Sequence, residues 1–117
     1  MKTHKDLDVY QYSIVLVTEL FNVTKNFSKE ELFGLTSQIR RSAILVLSNI
    51  AEGSARNHSK EFKQFLYIAL SSASELDTQL LIALNIEFIT NEDYSMLVNK
   101  LTFVSKMLQG LIKSLNA

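Results

Sequence analysis

Apolar residues recur at helical spacing along nearly the whole chain. The clearest run is the last one: Tyr94, Leu97, Leu101, Val104, Leu108, Leu111 and Leu115 step by 3, 4, 3, 4, 3 and 4. That is one face of an amphipathic helix with near-heptad spacing. Thr90, with Asp93 three residues on, reads as the capping box that opens it. Gly110, inside the run, costs about 1 kcal/mol relative to Ala, which points to a close helix crossing there. A first run places Tyr10, Ile14, Val17 and Phe21 on one stripe, flanked by Leu16, Leu20, Val23 and Phe27, with Asp8 as its cap. Ser28 with Glu31 is a second capping signal. It leads into Leu32, Leu35, Ile39, Ala43, Val46 and Ile50, with Gly53 placed as a C-terminal stop. A third run, capped by Ser59, carries Phe62, Leu66, Ala69, Ala73, Leu76, Leu80 and Ala83 inward. The small residues Ala69, Ser72, Ala73 and Ser74 imply close approach by a neighbour.

These patterns predict helices over about 8–26, 29–53, 59–86 and 91–115 within one domain spanning 1–117. Short connections imply antiparallel neighbours, so the expected fold is all-α, an up-down-up-down four-helix bundle. The chain carries more apolar residues than one inward stripe per helix uses. Ile44 and Leu45 fall off the second stripe, and Ile68, Leu70, Leu81 and Ile82 off the third. A helix apolar on several sides is usually covered on several sides, and the expectation is a homo-oligomer. The competing reading is a scatter of ordinary surface Leu and Ile.

Composition supports helices and removes several chemistries. The 117 residues include three Gly, no Pro and no Cys. Sheets lean on turns rich in Gly and Pro, whereas long helices need few of either. Without Cys there is no disulfide framework, zinc finger or thiol nucleophile. A chain of this length removes roughly two-thirds of its surface from water on folding and needs no staple. The first six residues are charged and lack the apolar core of a signal peptide. The run Leu80 to Leu84 is far shorter than the roughly 20 residues that span a bilayer. A cytoplasmic location and no membrane contact are expected.

Twelve Lys and Arg balance twelve Asp and Glu, but the layout is uneven. Residues 36–63 hold Arg40, Arg41, Arg56, Lys60 and Lys63 against Glu52 and Glu61. Residues 75–93 hold Glu75, Asp77, Glu87, Glu92 and Asp93 with no base. The corner between the second and third helices is locally basic, and the far end of the third helix is acidic. On the outer side of the second helix Gln38, Arg41, Leu45, Asn49, Glu52 and Arg56 share one stripe if the helix runs through Gly53. Arg presents a planar fork of donors suited to phosphate and carboxylate. The strip therefore reads either as a recognition surface or as a structural one, with Arg41 bridged to Glu75 within or between subunits.

Other chemistry is not indicated. His4 and His58 belong to no metal-ligand spacing, and the Glu residues lie off the apolar stripes, so no metal site and no cofactor are expected. Gly34, Gly53 and Gly110 are too far apart for a phosphate loop. The many Ser have no His–acid partner suggested by spacing. An enzyme is not expected.

The run from Gly34 to Ala43, with its Arg40-Arg41 pair, is followed by Ser48-Asn49-Ile50-Ala51-Glu52-Gly53, by Arg56, and by Lys60-Glu61-Phe62-Lys63-Gln64-Phe65. With Asp6-Leu7-Asp8-Val9-Tyr10 near the start, this order and spacing resembles the bacterial 23S rRNA intervening-sequence protein family, also called S23 ribosomal protein. The family usually has Pro where Leu47 and Ser48 stand, and Pro again where this chain has Ser28. The resemblance implies a four-helix bundle assembled into a ring-shaped homo-oligomer, typically a pentamer. It also implies a relation to the accessory variability proteins of diversity-generating retroelements, basic rings that bind nucleic acid and a protein partner. The name reflects where some of the genes lie and implies no activity. Two functions follow as expectations. In one, RNA or DNA is bound through Arg40, Arg41, Arg56, Lys60 and Lys63. In the other, Gln38, Ile44, Leu45, Asn49, Glu52 and Glu75 serve subunit or partner contact in a protein-interaction scaffold.

Overall fold

The computed structural model describes residues 7–116. His4 and Asp6 lie outside the described residues. Four α-helices account for most of the chain: α1 (Asp8–Thr24), α2 (Leu35–Ser54), α3 (Ser59–Asn85) and α4 (Asn91–Leu115). The described residues contain no strand, so the fold is all-α. The bundle measures 44 × 23 × 21 Å. A helix of α3's 27 residues is about 40 Å long, close to the long dimension. Each helix packs on the next in the chain, α4 packs on α1, and α2 with α3 is the most extensive pair.

One contiguous core fills the interior. On α3 it takes Leu66, Ala69, Ala73, Leu76, Leu80 and Ala83 as the spacing predicts, with Ser72 added. Phe62 is only half-buried. On α4 it takes Leu97, Leu101, Val104, Leu108 and then Ile112 instead of Leu111. The shift has a geometric cause. A heptad row drifts about 20° per seven residues on a 3.6-residue helix, so by the last turns the neighbouring position has rotated inward.

Four local features differ from the sequence expectations. On α1 the core row is Val9, Ser13, Leu16, Leu20, Val23 and the following Phe27. Tyr10, Val17 and Phe21 flank it half-buried, and Ile14 is exposed. The Ser28 signal opens a short 3-10 turn, Lys29–Glu31, rather than α2 itself. Ser28 Oγ accepts from the Glu30 amide at 3.3 Å, and the Glu31 carboxylate then accepts from the Leu35 amide at 3.1 Å. An acid at this place also suits the positive end of the helix dipole. Leu32, expected in the core, is exposed in this segment. Gly110 faces open space, where a Cβ would meet nothing within 4 Å, so no close crossing occurs there.

Of the other expected caps, Thr90 holds, and Asp8 and Ser59 do not. Thr90 Oγ1 accepts from the Asp93 amide at 3.1 Å. Asp8 and Ser59 are the first helical residues, with Leu7 and His58 at the cap positions. The α3–α4 turn closes through Glu87, whose φ is 63°. Its amide donates to Leu84 O at 3.1 Å, and the Phe88 amide donates to Ala83 O at 2.9 Å. This pair of bonds is a Schellman motif, with glutamate where glycine is usual. Phe88 then stacks edge-on against Phe27, ring centroids 5.9 Å apart.

Candidate nucleic-acid interface and contact face

The basic corner is built by a close helix approach. Gly53 was the expected end of α2, but the helix runs through it to Ser54. A Cβ at Gly53 would stand 2.8 Å from Phe65 Cβ, 2.9 Å from Phe62 Cδ1 and 3.2 Å from Phe62 O. Glycine here lets α2 and the start of α3 touch backbone to ring. Continuing the helix also keeps the outer strip of α2 on one face as far as Glu52, with Arg56 one turn on.

At the corner, Arg56 Nη2 meets Glu52 Oε2 at 3.2 Å, and its guanidinium carbon lies 4.8 Å from the Phe65 ring centroid. Both members of the ion pair are largely exposed, at 44% and 60%, so the pair is worth about 1 kcal/mol or less. It orients Arg56 rather than burying it. Lys60 stands exposed in the first turn of α3. Lys63 Nζ donates to Asn116 Oδ1 at 2.7 Å, a neutral partner that leaves the ammonium charge in place. Lys113, in the last turn of α4, lies one turn from that asparagine. Arg56, Lys60 and Lys63 are thus brought to one end of the bundle.

Arg40 and Arg41 are not part of that corner. Fifteen residues of chain separate Arg41 from Arg56, about 22 Å along a helix. Nor do the two arginines act alike. Arg40 Nε donates to Thr24 Oγ1 at 2.8 Å, and its guanidinium carbon sits 4.8 Å from the Phe21 centroid. It ties α2 to the end of α1. Arg41, rotated about 100° around the helix, is exposed. It lines a groove of about 620 Å³ with Leu32, Phe33, Ile44 and Leu45, which Arg40 also borders.

The candidate contact residues divide similarly. Gln38, Ile44 and Glu75 are exposed, and Leu45 is half-buried. Asn49 Nδ2 donates to Leu45 O at 2.7 Å, which satisfies part of its amide within its own helix. Glu52 is engaged by Arg56. Among the described residues the ion pair is Arg56–Glu52, so the Arg41–Glu75 bridge is not formed within the chain.

Two surface features escaped the sequence pattern. Phe33 is 93% exposed at the rim of the Arg41 groove; it falls between a capping signal and Gly34, off every stripe. Tyr12 and Phe103 meet edge-on at 4.9 Å on the outer side of α1 and α4, a pairing between distant helices that no spacing along the chain marks. Among the described residues no group of three His, Asp or Glu could hold a metal ion. No helix there is long and apolar enough to cross a membrane.

The described residues form a four-helix bundle. The chain belongs to the 23S rRNA-intervening sequence protein family, whose profile matches residues 5–110. A solved relative agrees in fold: a protein of unknown function from the S23 ribosomal protein family of Bacteroides thetaiotaomicron. It is 30% identical, with a TM-score of 0.83 over 90% of this chain and 95% of that one. Comparison with curated proteins gives no match.

Proposed function

We propose that the protein is a cytoplasmic, non-enzymatic bundle that assembles with copies of itself and holds nucleic acid, RNA first, at the α2–α3 corner. The observation that carries the reading is the grouping of Arg56, Lys60 and Lys63 at one end of the bundle, where the anions close in sequence are Glu52 and Glu61. An up-down-up-down course is supported by contacts between the near ends of helices: Arg40 with Thr24, Gly53 with Phe62, and Lys63 with Asn116. In a ring, a pentamer by family resemblance, each corner repeats around the axis. A chain of zero net charge then offers a local zone of positive potential.

Contacts of this kind go to phosphates, position the strand and read no bases. Three phosphates neutralised per corner give a slope of about −2 in log K against log salt on single strands. The test is retention of single-stranded RNA at low salt by the native protein and by the Arg56→Glu/Lys60→Glu/Lys63→Glu variant. The variant loses retention while its mass in solution and helix content stay unchanged. Retention that is equal in the variant, or insensitive to salt, removes the reading.

A second reading, a protein-interaction scaffold without nucleic acid, is favoured by one specific observation: Phe33 at 93% exposure beside Arg41 and Ile44. Under it, Arg41→Ala breaks the assembly or releases a partner, and no salt-sensitive binding to RNA or DNA exists.

A further inference from the structure

Two surfaces away from the corner are uncovered within the chain and opposite in charge. The first is the α2 groove, where Arg41 makes no ion pair among the described residues and is framed by Phe33 and Ile44, 93% and 47% exposed. The second is an outward stripe of α3. Ile68, Ser71, Glu75 and Ile82 follow one another at 3, 4 and 7 residues, which keeps them on one side of a helix. Ile68 and Ile82 are 48% and 45% exposed, and Glu75 is exposed without an ion pair among the described residues. The stripe enters the segment 75–93, which holds five carboxylates and no base.

We infer that the α2 groove of one copy receives the α3 stripe of a second copy, with Arg41 paired to Glu75 across the contact and the isoleucines packed beside it. The inference rests on the assembly reading above and names its surfaces. Charge complementarity selects the occupant. The groove presents a guanidinium fork suited to a carboxylate, and this chain supplies a carboxylate flanked by apolar residues on a different helix. Apolar surface on both sides accounts for the unshared hydrophobic residues that a monomer would leave in water. Repeated head-to-tail, the contact leaves a free surface of each kind at the two ends, the geometry that closes rings.

The test uses the whole chain in solution, with mass followed on dilution for the native protein, Arg41→Glu, Glu75→Arg, and the Arg41→Glu/Glu75→Arg double variant. Both residues are exposed, so circular dichroism should show unchanged helix content. Each charge reversal places like charges together and raises the concentration needed for assembly by about tenfold or more. The neutral variants Arg41→Gln and Glu75→Gln lose less, in the same direction. The Arg41→Glu/Glu75→Arg double variant restores assembly, because every groove carboxylate then faces a guanidinium on its neighbour's stripe, whatever the number of subunits in the ring. Variants that keep the native mass, or a double variant that does not recover, overturn this contact and leave self-assembly standing. A native protein of single-chain mass at every concentration overturns both.

Discussion

At the α2–α3 turn, Gly53 stands where Phe62 and Phe65 leave no room for a side chain. At the α3–α4 turn, Glu87 holds φ 63°, a conformation that costs an ordinary residue about 1–2 kcal/mol and glycine almost nothing. The two ends of α3 are therefore turned by opposite means. One uses a glycine in a right-handed helix for its missing Cβ; the other uses a glutamate in a left-handed position without any need of its side chain for closure. Their charge is opposite as well. The first turn gathers Arg56, Lys60 and Lys63, and the second lies in a segment with acids alone. The lesson is that the glycine's space requirement, and not its backbone freedom, sets the geometry of the basic corner.

Substitutions at the two turns sharpen this contrast. Gly53→Ala gives the larger effect. Alanine favours a helix by about 1 kcal/mol, yet its Cβ must displace a ring and a backbone carbonyl. A net loss of about 1–3 kcal/mol is expected, read as a lower midpoint in urea unfolding. A neutral or stabilising result would mean that α3 shifts freely and that the close approach is incidental. Glu87→Gly gives the smaller effect and the opposite sign: a gain of about 0.5–1 kcal/mol in the same measurement. A loss there would show that the glutamate side chain contributes to the turn.

Much of the fold was legible because α3 and α4 each present a long apolar row that holds the core, apart from Phe62 and the last turns of α4. Thr90 with Asp93 marked the start of α4, and Leu66 through Ala83 marked the core of α3. α1 carries two rows, and hydropathy preferred the wrong one. A small buried Ser13 does not register as a core residue, whereas Ile14 does, and only docking against α2 and α4 decides between them. The Ser28 signal was real but local. It opened a 3-10 turn, and the longer helix begins where the Glu31 carboxylate reaches the Leu35 amide. For the site, clustering of cations along the chain was visible, but their grouping in space was not. Arg40 and Arg41 are adjacent in sequence, and one turns toward α1 while the other faces outward. That division follows from the rotation per residue, but only once the side on which α1 lies is known.

The most direct measurement of the account is residue-resolved: amide chemical shifts of the protein titrated with a short single-stranded RNA at low salt. Perturbations should concentrate on residues 56–63 and on Asn116, fade as salt is raised, and leave 75–93 unchanged. Shifts centred on the acidic segment, or none at any salt concentration, would contradict the assignment of the α2–α3 corner as the phosphate-binding end.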